Sequence, residues 1–278
     1  MSKFSDFLLI SDVDQTLLNS NHELSDVNRQ AILDYINKGG NFTIATGRGI
    51  HSIKRLDIPT SHPVIVYNGA AIYDYNEQKY LWQKPLDTKS GAAIVRQVLG
   101  EFPEVGIEWV TDNCNYVVNS NKEVEWHLDF EQIEFRYSKA EDLENIQEAC
   151  LKLLFIWDES GLSAVDKFLQ KRISEGLPFF VSYSFTKIME FMCEGAHKGV
   201  ALSAFSDILG FPLEKIIAMG DNFNDIDFLK RAAYKIAVAN AIDELREIAD
   251  CVVVSNNEHA VADVIGRITR GEIALPKS

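Results

Sequence analysis

Short, wholly apolar runs alternate with helical stretches at both ends of the chain, and the middle lacks that rhythm. Phe7–Ile10 has the length of a strand and no polar residue, as a strand covered on both faces requires. Ser25 then stands where a helix N-cap belongs. Val27, Ala31, Ile32 and Tyr35 fall on one stripe, and Gly39-Gly40 closes the segment. Phe42–Ala45 reads as the next strand, Ile50–Leu56 as a helix and Val64–Tyr67 as a third apolar strand. The C-terminal part repeats the texture. Lys215–Met219, Lys235–Val238 and Cys251–Val254 read as strands among helices at Gly199–Leu209, Asp225–Ala232, Ile242–Ile248 and Ala260–Arg270. Such alternation builds right-handed βαβ units on a parallel sheet, so the spacing predicts an α/β fold whose two ends share one sheet.

From about Lys84 to Ile188 the texture changes. Strands there alternate more, and Gly91–Leu99 and Leu162–Ile173 are amphipathic stretches suited to one sheet face. The expected organisation is a core of residues 1–83 and 189–278 interrupted by an α+β insertion at 84–188. At 278 residues the chain is long enough for two such bodies.

Composition narrows the partners. Lys plus Arg number 27 against 41 Asp plus Glu, a formal charge of −14, so nucleic acid and anionic membranes are not expected partners. A phosphate-bearing ligand would need a local cation or a metal. Cys114, Cys150, Cys193 and Cys251 form no CxxC pair, which fits a reducing cytoplasm better than a zinc site or a disulfide scaffold. Met1–Asp6 does not read as a leader, and no apolar run approaches the ~18 residues of a spanning helix.

Polar residues with chemical potential cluster where strands end. Asp12 and Asp14 follow the first strand, and residues two apart in a strand share a face. Paired carboxylates repel, and a hard cation relieves that repulsion; a turn or helix cap explains the same pair. Gly220-Asp221-Asn222-Phe223-Asn224-Asp225 follows another strand and reads either as a second acidic ligand set or as an Asx-rich turn capped by Asn224 or Asp225. Thr46-Gly47-Arg48 suits an anion cradle or a helix cap. Lys198 opens a helix, where a cation opposes the dipole and wants an anion unless it is solvated. Asn68-Gly69 alone indicates a type I′ turn.

Taken in order, Asp12-Val13-Asp14-Gln15-Thr16-Leu17-Leu18, Ala45-Thr46-Gly47-Arg48, Asn68-Gly69, Lys198-Gly199 and Gly220-Asp221-Asn222-Phe223-Asn224-Asp225 resemble the haloacid dehalogenase superfamily, in its Cof-type (type IIB) branch of phosphatases. The interval from Asp12 to Thr46 is too short for a domain, and that from Thr46 to Lys198 holds one. The resemblance implies a Rossmann-like parallel sheet core with an inserted α+β cap domain that selects the substrate. It implies Mg²⁺-dependent hydrolysis of small phosphate monoesters, sugar phosphates or related metabolites, in the cytoplasm. By the same resemblance Asp12 is the nucleophile that forms an aspartyl-phosphate and Asp14 the general acid and base. Asp12, the Asp14 carbonyl and Asp221 hold the metal. Thr46, Gly47 and Lys198 hold the phosphoryl oxygens, with Arg48 and Asn68 beside the substrate. Asn224 contacts phosphate or metal waters, and Asp225 orients Lys198 or Asp221. A phosphohexomutase, or a binding protein that keeps the fold without catalysis, are the alternatives. Gln15 departs from the glycine usual in this family, so it either strains the turn or brings an amide near the phosphate.

Overall fold

A computed structural model describes residues 5–132 and 134–273. Met1–Phe4, part of the stretch judged for a leader, lie outside the described residues. The chain divides into two compact units: residues 5–48, 53–82 and 197–273, and residues 49–52 with 83–196.

The chain begins β1 (Leu8–Ser11), α1 (Asp26–Asn37), β2 (Asn41–Ile44), α2 (Ile50–Leu56), β3 (Val64–Val66), β4 (Ala71–Asp74) and β5 (Lys79–Gln83). The insertion adds α3 (Thr88–Glu101), β6 (Gly106–Thr111), β7 (Asn115–Asn119), α4 (Lys122–Glu131), β8 (Phe135–Tyr137), β9 (Cys150–Ile156), α5 (Glu159–Ser174), β10 (Phe179–Phe185) and β11 (Ile188–Cys193). The chain closes with α6 (Lys198–Leu209), β12 (Ile216–Gly220), α7 (Ile226–Arg231), β13 (Tyr234–Val238), α8 (Asp243–Ile248), β14 (Cys251–Val253) and α9 (Ala260–Arg270).

The first unit carries a parallel sheet ordered β14-β13-β12-β1-β2. Every residue of β1 and β12 is buried, which is why these strands carry no polar face. Ser25 caps α1 by accepting from the Asn28 amide, and α1 packs on α9. Ser11 pairs with Met219 on one side and Ile44 on the other. Asp12, Gly220-Asp221 and Ala45-Thr46 therefore emerge level at the carboxyl edge, where open α/β sheets place their ligands.

The third apolar run departs from the expected pattern. β3 meets the parallel sheet through one bridge, Ala45 to Ile65, and otherwise pairs antiparallel with β4 in a small β3-β4-β5 sheet. Three apolar residues bury equally well in either pairing, so the run alone does not fix its neighbour.

The second unit is a six-stranded sheet ordered β10-β11-β9-β6-β7-β8, antiparallel except between β7 and β8. Trp109, Leu153, Phe155, Met189 and Phe191 form its core with residues of α3 and α5 such as Val95, Val98, Leu162 and Val165. Asp87, Asn121 and Asp158 cap α3, α4 and α5 with side-chain oxygens. Glu108, Lys152 and Glu190 alternate with the core residues, so they face the other way. They are satisfied there by bonds between His127 and Glu108 (2.7 Å), Asn115 and Glu108 (2.9 Å), and Lys152 and Glu190 (2.8 Å). A junction after Ile188 would cut β11, which pairs with both β9 and β10; the second unit runs to Ala196.

Candidate active site

Asp12 lies one residue past β1, and its amide still donates to Met219 O (2.9 Å). Because the strand ends at Ser11, strand alternation does not aim Asp12 and Asp14 together, and their side chains enter two different clusters.

In the first cluster, Lys198 Nζ donates to Asp12 Oδ1 (2.5 Å) and to Asp225 Oδ1 (2.7 Å). Lys198 is the first residue of α6 and only 1% exposed, so its partners are these anions rather than water. Asp225 accepts with its other oxygen from the amides of Asp221 (3.0 Å) and Asn222 (3.2 Å). That fold-back needs Gly220, where a Cβ would stand 2.6 Å from the Asp225 carboxyl. Asn222 caps the short turn before the helix, with Asp225 completing a reciprocal capping box; Asp225, one of the two expected caps, stands at the N-cap position of α7 without a side-chain cap bond. Asp225 thus orients both Lys198 and the Asp221 backbone. Thr16 Oγ1 donates to Asp221 Oδ1 (3.1 Å). Carboxylate oxygens of Asp12, Asp221 and Asp225 lie within 4.8 Å of one another.

The charge balance there is negative. Burial pushes the Asp12 carboxyl up, Lys198 pulls it down, and Asp225 pushes it up again, for a net rise to about 7. Burial, then the charges of Asp12 and Asp225, push Asp221 up to about 9. Burial works against the Lys198 ammonium, but Asp12 and Asp225 outweigh it and raise it above its usual range. Three carboxylates face one ammonium, all donors are oxygens, and a hard divalent cation would restore the balance. Asp225 is already engaged by Lys198 and two amides, so Asp12 and Asp221 are the side chains that fit such a cation.

In the second cluster, Arg48 holds both Asp14 oxygens, Nε to Oδ2 and Nη2 to Oδ1, each at 2.8 Å. His22 Nδ1 stands 3.3 Å from the same Oδ1. Burial pushes the Asp14 carboxyl up, but the bonds and charges of Arg48 and His22 together bring it down to about 2. Arg48, expected beside the substrate, is therefore paired with Asp14.

A third group joins the loops. Thr46 Oγ1 accepts from the Arg48 amide (3.1 Å), and α2 starts only at Ile50, so Thr46 closes its own turn rather than capping that helix. Tyr67, Asn68 and Gly69 all have positive φ (53°, 53° and 93°); Asn68 (ψ 26°) and Gly69 take the two central positions of the expected type I′ turn, which Ala70 N closes on Tyr67 O (3.0 Å). Their backbone clamps the 46–48 loop: Asn68 N donates to Thr46 O (2.9 Å) and Tyr67 N to Arg48 O (3.0 Å). A Cβ at Gly69 would lie 2.3 Å from the His197 carbonyl carbon, so only glycine lets this turn touch the start of α6. Asn224 Nδ2 donates to Asn68 Oδ1 (2.9 Å), and a Cβ at Gly47 would press that oxygen at 3.1 Å. Gln15 has φ 59°, and its side-chain oxygen accepts from Asn256 (3.3 Å). Two polar contacts escaped the sequence reading. Thr16 sits inside the first motif with no spacing of its own to mark it, and His22 is a lone histidine in a polar turn.

A family model described as haloacid dehalogenase-like hydrolase matches residues 9–265. The chain belongs to the haloacid dehalogenase-like hydrolases. Its curated relatives in Bacillus subtilis include two 5-amino-6-(5-phospho-D-ribitylamino)uracil phosphatases. One is 30% identical over 93% of this chain and 94% of its own length. The other is 28% identical over 95% and 98%. Among solved structures, a Thermotoga maritima protein is 25% identical with a TM-score of 0.80, covering 94% of this chain and 97% of its own. A haloacid dehalogenase-like hydrolase from Bacteroides thetaiotaomicron shares the fold with a TM-score of 0.83 at 24% identity, over 94% and 99% of the two chains. The protein is thus a haloacid dehalogenase-like phosphomonoesterase of the Cof type, with a parallel core and an inserted α+β cap domain. Among the described residues no helix is long and apolar enough to cross a membrane.

Proposed function

We propose that the protein hydrolyses a small cytoplasmic phosphate monoester in a Mg²⁺-dependent reaction that passes through an aspartyl-phosphate on Asp12. The observation that carries this reading is the buried Lys198 ammonium bonded to Asp12 and Asp225 beside Asp221. Two distant stretches of sequence converge there on one small, oxygen-lined point.

Asp12 attacks phosphorus, forming a P–O bond as the ester P–O bond breaks. A carboxylate suits this task because the mixed anhydride it forms is readily hydrolysed. Lys198 holds Asp12 in place and, with the Thr46 hydroxyl and the Gly47 amide, binds the phosphoryl oxygens as charge builds on them. Asp14 protonates the departing oxygen and later takes the proton of the attacking water. Asp12, Asp221 and the Asp14 carbonyl would hold Mg²⁺, which when bound would supply charge neutralisation between an anionic nucleophile and an anionic ester. Arg48, Asn68 and Asn224 complete the substrate's surroundings, and the inserted domain selects the organic part of the ester.

The test is a panel of phosphate esters assayed for free phosphate, with Mg²⁺ and with chelator. Sugar phosphates belong on it, and the names of two relatives add 5-amino-6-(5-phospho-D-ribitylamino)uracil. Release of phosphate that needs the metal and disappears in Asp12→Asn is the expected result. Isomerised hexose phosphate without free phosphate would point instead to a mutase, and no turnover of any ester to a binding protein.

A further inference from the structure

The geometry points to His22 as a positioning residue for Asp14, holding it for proton transfer once Arg48 has turned to the substrate. This inference rests on the acid–base role proposed above for Asp14.

As it stands, both Asp14 oxygens are engaged. Arg48 takes both carboxylate oxygens at 2.8 Å, a two-bond fork that leaves no oxygen aimed at a leaving group. Arg48 also belongs to the 46–48 loop that supplies the phosphoryl-binding groups. A phosphate ester offers a guanidinium more charge and more acceptor oxygens than a carboxylate does, so the incoming ester draws Arg48 off Asp14. Among the described residues Asp14 then keeps His22 Nδ1, which stands 3.3 Å from Oδ1.

His22 is held independently of that exchange. Its turn is closed by Asn19 N donating to Glu23 O (3.0 Å) and His22 N donating to Asn19 O (2.9 Å). The Asn19 side chain accepts from the amides of Asn21 (2.9 Å) and Glu23 (3.0 Å). Asn257 anchors the turn from outside, accepting from Ser20 N (3.0 Å) and donating to Ser20 Oγ (2.9 Å). His22 has φ 61°, a backbone that residues with a side chain seldom adopt. The Asp14 side chain keeps 31% of its surface exposed, so it has room to turn about this contact.

The proton balance is closed over the cycle. As the Asp12–phosphorus bond forms and the ester bond breaks, the electron pair of that bond leaves with the departing oxygen, which takes the Asp14 proton. Asp14 regains a proton from water as the water oxygen bonds to phosphorus and the aspartyl P–O bond breaks. In this scheme Nδ1–H of His22 donates to one Asp14 oxygen and leaves the other for the transferred proton.

The experiment compares kcat/KM for the best-cleaved alkyl ester of the panel with that for p-nitrophenyl phosphate, using full-length protein and Mg²⁺. Nitrophenolate leaves without a proton, and an alkoxide does not. General acids supply about 10²–10⁴-fold. The expected result is that His22→Ala lowers the alkyl value about ten-fold more than the nitrophenyl value. His22→Asn, whose amide N–H can stand in for Nδ1–H, restores most of that ratio. Because both esters are assayed on one preparation, misfolded protein cancels from the ratio. An equal fall on both esters in His22→Ala, or no rescue by Asn, overturns the inference. Asp14→Asn separates the levels. If it shifts the ratio and His22→Ala does not, only the role of His22 fails; if Asp14→Asn leaves the ratio alone, the acid–base reading of Asp14 fails with it.

Discussion

Lys198 stands between two buried carboxylates, and both depend on it. Removing the ammonium leaves Asp12 and Asp225 without their cation, a defect of about 3–5 kcal/mol for a buried pair. Lys198→Ala is therefore expected to lower stability to urea by that order and kcat by about 10²–10³-fold, measured on the same protein. A variant of unchanged stability would mean that the two carboxylates are compensated elsewhere. The position of Lys198 was legible because a cation at a helix start opposes the dipole. That it serves two anions was not, since Asp225 reaches it only through the fold-back permitted by Gly220. Gln15 shows the opposite case. Its left-handed backbone costs about 1 kcal/mol relative to glycine, and its amide is spent on Asn256 rather than near a phosphate. Gln15→Gly should gain about 1 kcal/mol in urea unfolding, with kcat/KM changed by less than about three-fold. A large rise in activity would show that Gln15 obstructs the site. His22 left no trace in the sequence, because only the turn that aims it gives it meaning.

At the scale of elements, the turn of Tyr67, Asn68 and Gly69 sets the spacing between the 46–48 loop and the start of α6. A methyl group at Gly69 has nowhere to go, with His197 backbone atoms 2.3–2.5 Å away and φ at 93°. Gly69→Ala is expected to cost about 1–3 kcal/mol and to lower kcat by more than Gln15→Gly does, because it displaces Lys198. Denaturation and steady-state rates together check this. Unchanged kinetics would mean that α6 keeps its place without the turn. The helices and central strands were legible from stripe, cap and stop signals such as Ser25 and Gly39-Gly40. The turn at Asn68-Gly69 was legible as well, but the pairing of β3 and the left-handed Tyr67 before that turn were not. Asn68-Gly69 carries a strong local turn preference that the fold keeps, whereas its contacts with the 46–48 loop and the start of α6 join stretches far apart in sequence.

For the whole molecule, the alternation at both ends announced a split core, while the exact end of the insertion depended on β11, whose partners lie in the insertion. That insertion contains a buried polar set with its own pH signature. Burial works against a charge on His127, but Glu108 at 2.7 Å and then Glu131 outweigh it and raise the imidazole above 6.5. A raised folded value means that the charged pair adds stability below pH 6.5 and loses it as pH climbs through the folded value. Stability to urea should thus fall more steeply as pH rises above 6.5 in the native protein than in His127→Gln; parallel curves would remove the pair from the pH response. The proposed hydrolysis depends on phosphorus becoming bonded to Asp12. The direct measurement is acid quench of the enzyme turning over a cleaved ester with Mg²⁺, borohydride reduction of the acyl-phosphate, and peptide mass spectrometry. Conversion of Asp12 to homoserine, absent without substrate, is the predicted result. Reduction at another residue, or none while phosphate is being released, would contradict the account.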